Sequence, residues 1–405
     1  MQTPNWLALC ILLMALGSLL RLRELVVLPA FLLTILGVAW AWQRHVLDRV
    51  SYRRLFRYRR AFPGERLPLT LIIENLKLTP VPWLRALDPW PRAVGPVDES
   101  ILAPSSAQDE GVLTNVFSLK WFERVRRSYE LLCRRRGIYK VGPAQLSSGD
   151  LFGLYEAELS PVRADLIVVY PEIKPLADLG FPAEDPFGDR PSRRRMFEDP
   201  ARVMGVRDYA PTDSIRRIHW TATARIGALQ VKEYEPTTAR NLVVCLNVAT
   251  FEQHWLGVDS TLLEALVGLS ASIIYAAAAD GYSVGLYSNG CLAHADQPFR
   301  LQPSRSPDQL GELLQALAGV TPFVTGAYER FLLEAAPRIP FGSLLVLVTA
   351  IIKPELPESL LYLRRRGRRV VLVALTADSP PPVPDILIYH LPHLREPESS
   401  SGCHF

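Results

Sequence analysis

The densest group of residues able to do chemistry lies between Gly205 and Arg225, where Arg207, Asp208, Tyr209, Pro211, Asp213, Arg216, Ile218, His219, Trp220 and Arg225 follow one another closely. His219 beside Asp208 and Asp213 has the parts of a base and its orienting carboxylate, so one expectation is a hydrolase using His219 and Asp213. No partner nucleophile stands in the stretch, and H-E-x-x-H, G-x-G-x-x-G and Walker patterns are absent from the chain. The favoured expectation is therefore structural and non-enzymatic. His219 is then a half-buried imidazole bonded to a local carboxylate, and Tyr209 and Trp220 are packing residues. Arg207, Arg216 and Arg225 can each grip a carboxylate bidentately, from Asp208, Asp213, Glu233 or a partner protein.

Those residues must be held by local backbone. The residue before Pro211 avoids helical geometry, so Tyr209 to Pro211 reads as an extended turn. Asp213 is then placed to cap a short helix that turns Ile215, Ile218 and Ala222 inward.

The chain has 405 residues, 49% of them hydrophobic and only 21% charged, which excludes a largely disordered protein and suggests buried or membrane-embedded segments. Cys10, Cys133, Cys245, Cys291 and Cys403 are scattered, and His390-x-x-His393 has no thiolate nearby, so neither a disulfide framework nor structural zinc is expected. Arginine runs such as Arg134 to Arg136 and Arg364 to Arg366 read as solvated faces, and no nucleic-acid partner is expected.

Two uncharged apolar runs, Trp6 to Leu20 and Leu25 to Trp42, open the chain. The second would extend about 27 Å as a helix, close to the ~30 Å of a bilayer core. Trp6, Trp40 and Trp42 lie near the outer ends, where indoles favour the interface. A signal peptide fits poorly, because the residues before Trp6 carry no basic side chain and no small-x-small site follows Leu20. Residues 1–42 thus read as a transmembrane helical hairpin. Residues 43–60 read as a basic neck on anionic lipid, with Arg44, Arg49, Arg53, Arg54, Arg57, Arg59 and Arg60 setting a cytoplasmic orientation. The expected location is the inner membrane, multi-pass, with the lipid bilayer as a partner.

Alternation at Leu67, Leu69, Leu71 and Ile73, with further short apolar runs between Gly and Pro turns, predicts a β-sandwich over residues 61–172. Residues 173–203, rich in Pro, Asp and Arg, read as a linker. Beyond Asn241, continuous apolar strands alternate with helical stretches, the first helix capped at Asp259, which predicts a doubly wound, mostly parallel α/β sheet. In such sheets ligands bind at the carboxyl ends of the strands. Residues 204–395 form this domain with the Arg207 to Arg225 motif, and residues 396–405 read as a disordered tail.

The order of parts resembles the membrane-anchored bacterial proteins of domain of unknown function 58. The marks are the apolar hairpin, Arg135 to Pro143, Asp150 to Leu154, and above all Arg207 to Arg225. The resemblance implies a C-terminal von Willebrand factor type A-like domain. It also implies a MoxR-type AAA+ ATPase as partner and a membrane transglutaminase-like protein as neighbour. A metal-binding domain of that type carries Asp-x-Ser-x-Ser after its first strand, where this chain has Asn247, Ala249 and Phe251, and Thr349 is followed by Ala350 rather than Asp. Without those charged oxygens useful Mg²⁺ affinity is not expected, so these positions read as a degenerate metal site with no metal and no cofactor. The expected function is a membrane-tethered adaptor that binds protein partners, in assembly or maturation of a cell-envelope client.

Overall fold

The computed structural model describes residues 3–107, 109–149, 156–182, 186–187, 197–211, 213–237, 240–293 and 295–395. The Asp150 to Leu154 mark, the 396–405 tail and the side chains of Trp6 and Arg216 lie outside the described residues. The chain divides into two units, residues 1–169 and 170–405.

The first unit opens with helices α1 (Thr3–Leu19) and α2 (Arg23–Val46), which pack against each other across a turn with Arg21 at φ +55°. Residues Val26–Val46 are long and apolar enough to cross a membrane, with mean hydropathy 1.8 and 11% of that span buried. Ser260–Ala279 passes the same test of length and composition but is 61% buried, as suits a core helix.

Twelve strands follow: β1 (Val50–Phe56), β2 (Arg60–Ala61), β3 (Arg66–Asn75), β4 (Val81–Pro91), β5 (Val94–Pro96), β6 (Leu102–Pro104), β7 (Glu110–Leu119), β8 (Arg124–Cys133), β9 (Gly137–Val141), β10 (Ala144–Gly149), β11 (Glu156–Val162) and β12 (Asp165–Val169). They form sheets ordered β1-β3-β8-β5, β11-β10-β4-β7-β6 and β2-β12-β9. Leu67, Leu69, Leu71 and Ile73, all 0% exposed, share one core with Leu84, Leu113 and Leu146 of the second sheet. Val46 and Leu47 belong to that core and Trp42 packs on it, so the end of α2 is built into the β unit.

The basic neck is therefore a correction: residues 50–56 are a strand, paired residue for residue with β3 from Val50↔Asn75 to Phe56↔Leu69. Its inward face is Val50, Tyr52, Arg54 and Phe56, and the one buried arginine hid the alternation. Arg54 (side chain 1% exposed) meets Asp88 (0%) through two bonds of 2.8 and 2.6 Å, while the Tyr52 hydroxyl donates to Asp88 at 2.9 Å. Burial opposes the Arg54 charge, but the bonds and charge of Asp88 overcome it and hold its pKa above the ordinary value. Gly142, at φ +82°, is required beside this pair, because a Cβ there would run into the Arg54 guanidinium.

The second unit contains the ribbon β13 (Phe197–Asp208), helix α3 (Trp220–Ile226) and β14 (Gln230–Thr237), followed by an α/β region. That region runs β15 (Asn241–Leu246), α4 (Ser260–Ala279), β16 (Ser283–Ser288), β17 (Gly290–Leu292), β18 (Phe299–Ser304), α5 (Gln309–Ala318), β19 (Val320–Val324), α6 (Tyr328–Ala335), β20 (Leu344–Thr349), α7 (Glu355–Arg365), β21 (Arg369–Ala374) and β22 (Leu387–His390). Its main sheet is ordered β18-β16-β15-β20-β21-β22, parallel except at β18. Asp259 caps α4 as its sequence position predicts, accepting from the N–H groups of Thr261 (2.8 Å) and Leu262 (3.2 Å). The linker is a second correction. Strand β13 begins at Phe197, and Phe181 and Phe187 are buried with their rings 4.7 Å from Tyr389 and 6.2 Å from Tyr282. Apolar burial ties that stretch to the α/β region despite its polar composition.

Candidate functional site

Strands β13 and β14 pair antiparallel with Asp208 opposite Gln230, and the motif residues fill the excursion between them. Asp213 sits at the base of this loop. Arg207 donates to both of its oxygens at 2.7 and 2.6 Å, and the Ala210 N–H donates at 2.9 Å. The Arg207 bond, then the Ala210 N–H, pull the Asp213 carboxyl down to about 2. Asp213 thus closes a turn rather than capping a helix, as its sequence position suggested. A preceding arginine in β13 offers it a charged fork, a stronger partner than helix N–H groups. Asp208 accepts from the Gln230 side-chain amide at 2.6 Å.

His219 is the N-cap of α3: its Nδ1 accepts from the Ala222 N–H at 3.1 Å, and its own N–H donates to Gln230 O at 2.8 Å. Among the described residues no hydrogen bond joins His219 to Asp213 or Asp208. Ile218 is 7% exposed and bridges Val231, as its inward placement requires, and Ala222 and Tyr209 are half-buried. Two expectations are corrected here. Ile215 is 70% exposed and Trp220 66% exposed, because α3 spans only two turns and a ribbon of two strands offers no second layer to cover them. Ile226 at 60% joins them, with Pro211 and Arg225 also exposed.

The strand ends carry a second polar group. Asn247, just past β15, donates from Nδ2 to Thr349 Oγ1 at 3.0 Å, and its Oδ1 accepts from Asn289 Nδ2 at 2.9 Å and the Ala249 N–H at 3.1 Å. Asn289 Oδ1 accepts from the Val248 N–H at 3.0 Å, and Thr349 Oγ1 donates to Ile351 O at 2.7 Å. Asn289 was not legible as a site residue. Its only sequence signal is a polar Ser288-Asn289-Gly290 turn closing an apolar strand. The two amides and the Thr349 hydroxyl satisfy one another within this network. Among the described residues no cluster of three His, Cys, Asp or Glu side chains could hold a metal. Phe251 is 38% exposed and Ala249 contributes only backbone to the network.

Beyond the network a cleft of about 610 Å³ opens at the carboxyl ends of β15, β20 and β21, where the sheet order reverses direction. Phe251, Ile352 and Pro381 give it apolar walls, and Glu252, Lys353 and Asp378 give it charge. Burial pushes the Cys133 thiol up to about 11 and the Cys245 thiol up to about 12, which disfavours the thiolate at both.

Comparison with known proteins gives a relative in Bacillus subtilis (strain 168), "Uncharacterized protein YeaD", 24% identical over 228 residues. That alignment covers 56% of this chain and 52% of the relative, so the chain spans about half the length of the curated protein it matches. Among solved structures it is similar to the sporulation control protein Spo0M from Bacillus subtilis, at 13% identity over 30% of this chain and 49% of that one, with a TM-score of 0.19. It is also similar to a cohesin module from Clostridium perfringens ATCC13124 family 33 glycoside hydrolase, at 10% identity over 29% and 96%, TM-score 0.21. Scores this low carry no inference about fold or activity. Residues 205–390, which hold both the motif and the strand-end network, match the family described as "Protein of unknown function DUF58".

Proposed function

We propose that the chain is a membrane-tethered, non-enzymatic adaptor. In this reading α1 and α2 form a two-pass anchor in the inner membrane, and the β unit is a sandwich. The α/β region is a von Willebrand factor type A-like domain that presents the motif to protein partners in the cytoplasm. The observation that carries the reading is the exposure of Ile215, Trp220 and Ile226 on one short excursion, with Arg207 and Arg225 beside them. Large exposed apolar side chains next to arginine are the composition of interface hot spots. The amide-sealed strand ends fit a surface that works by contact rather than through a bound cation. The resemblance supplies the partner class, a MoxR-type AAA+ ATPase, with a membrane transglutaminase-like protein nearby and a cell-envelope client.

The test is purification of the tagged full chain from its own host in mild detergent, followed by mass spectrometry. An AAA+ ATPase should accompany the wild type and fall at least tenfold with Trp220→Ala, while the thermal midpoint stays unchanged. If no such ATPase accompanies the wild type, the partner assignment fails. Protease digestion of sealed inverted vesicles tests the orientation, which full protection of residues 43–405 would refute.

A further inference from the structure

The last carbonyls of a helix have no partners within the helix and must find them elsewhere. At the end of α2 they find Lys77, whose Nζ donates to His45 O at 2.7 Å, to Val46 O and to Asp48 O at 3.0 Å. Lys77 lies in the turn between β3 and β4, so this one ammonium fixes that turn against the helix end. The Leu76 N–H adds a bond to Arg49 O at 3.0 Å. The turn between β7 and β8 is clasped to the first. Phe122 N–H donates to Lys77 O at 3.2 Å, Asn75 N–H donates to Glu123 O at 2.9 Å, and Asn75 Nδ2 donates to Thr79 O and Lys120 O at 2.9 and 2.8 Å.

Helix end and two turns thus form one tip, and its surface is apolar. Leu76 is 51% exposed, Leu78 74%, Trp121 64% and Phe122 63%. Turns ordinarily present polar side chains, so four large apolar ones on a single tip mark a surface meant to be covered. Phe122 has φ +49°, a left-handed conformation that costs energy for a bulky residue, and the clasp holds it there. Around the tip the acids are engaged: Glu74 by Arg53 and Arg124, Asp48 by His45, and Glu123 by the Lys120 N–H. Arg49 and Lys120 are exposed, and no ion pair engages either one among the described residues.

The covering surface follows from continuity with α2. Its exposed apolar surface includes Phe31 (67%), Val38 (58%) and Trp40 (47%), the last with Arg44 over its ring at 3.8 Å. From Trp42 to Val46 the helix rises about 6 Å, comparable to the ~5–8 Å headgroup layer outside a hydrocarbon core. A helix whose tryptophans sit at the interface therefore brings the tip to headgroup level. We propose that Leu76, Leu78, Trp121 and Phe122 insert into the headgroup and upper acyl region of the bilayer beside the exit of α2, with Arg49 and Lys120 on anionic lipid. The β unit is then held on the membrane surface at a fixed attitude. This inference rests on the reading that α2 crosses the bilayer.

The test uses the full chain in vesicles of phosphatidylcholine and phosphatidylglycerol, with part of the phosphatidylcholine brominated on shallow acyl carbons. The Trp121 emission, taken as wild type minus Trp121→Phe, should be quenched at least twofold by the bromines and shielded from acrylamide. Leu78→Ser with Phe122→Ser should remove that quenching and leave the thermal midpoint in detergent unchanged. If the Trp40 and Trp42 emission, read from their Phe variants, is quenched while Trp121 is not, the tip faces water or another protein. The proposal is then overturned and the anchor stands. If none of the three is quenched, the membrane-spanning reading of α2 falls together with the tip.

Discussion

Asn247 and Thr349, 102 residues apart in the chain, meet side chain to side chain at 3.0 Å across the ends of β15 and β20. Thr349 Oγ1 also accepts from the Ile351 N–H at 3.2 Å and donates to Ile351 O, so its bonding capacity is used. Asn247→Asp would set a second acceptor against it, and one buried group would lose its partner. The expected cost is about 1–3 kcal/mol, or a midpoint lower by ~2–4 °C per kcal/mol for a unit of this size. Millimolar Mg²⁺ should leave both proteins where they are, since Ala249 and Phe251 offer no side-chain oxygen. Thermal unfolding of the full chain in detergent checks this, and recovery of the variant by Mg²⁺ would contradict it.

Arg54 and Asp88 should dominate the electrostatics of the β unit. Arg54→Met leaves the Asp88 carboxylate buried with only the Tyr52 hydroxyl, at an expected cost of ~3–5 kcal/mol. Arg59→Met removes an ion pair from Asp165 whose arginine side chain is 60% exposed, and the expected cost is at most about 1 kcal/mol. Arg54→Met with Asp88→Leu should recover most of the loss, because no uncompensated charge remains. Midpoints that fall equally for the two single variants would contradict the ranking.

The main strands and helices of the α/β region were legible in sequence because burial on both faces makes each parallel strand a plain apolar run, as in Leu344–Thr349. The β unit was harder. In β4, Pro82 sits where the pairing with β7 slips between Val81 and Leu84, and Pro89 and Pro91 lie beyond the reach of β10, which pairs only with Leu84 to Leu87. Each proline there avoids a ladder bond, so a stretch that reads as a break is a central strand. Arg54 hid β1 in the same way, since a charge in the core interrupts the expected alternation. Of the site, the residue types were legible and a bidentate grip of Arg207 on Asp213 was among the pairings they allowed, but which pairing forms was not. Whether Asp213 takes a helix terminus or Arg207 depends on how β13 turns the arginine, and no local spacing encodes that.

Asp213 also sets a pH dependence. Its folded pKa of about 2 lies below the ~4 of a free aspartate. The Arg207 ion pair therefore stabilises the loop fully above pH ~4, and that contribution is lost as pH falls toward 2. Amide exchange at Ala210, whose N–H donates to this carboxylate, should stay slow at pH 4 and accelerate toward pH 2, after allowance for the intrinsic rate. In Asp213→Asn it should be fast throughout. An Ala210 amide indifferent to both changes would remove the carboxylate from the loop's support.

Asp259 couples the strand-end region to the longest helix of the α/β region. Its carboxylate caps α4, while its N–H donates to Thr250 Oγ1 at 2.7 Å, and Thr250, 2% exposed, opens the loop after the Asn247 network. Removing the cap with Asp259→Ala should cost about 1 kcal/mol, and Thr250→Val, which leaves the Asp259 N–H without its acceptor, a similar ~1–3 kcal/mol. The two act on one junction, since an uncapped first turn frays and carries the Asp259 backbone with it. The double variant should therefore cost less than the sum of the singles, by at least ~0.5 kcal/mol. Asp259→Ser keeps a side-chain acceptor at the cap and should retain most of the stability. Strict additivity in a thermal double-mutant cycle would mean that the cap and the loop are held independently.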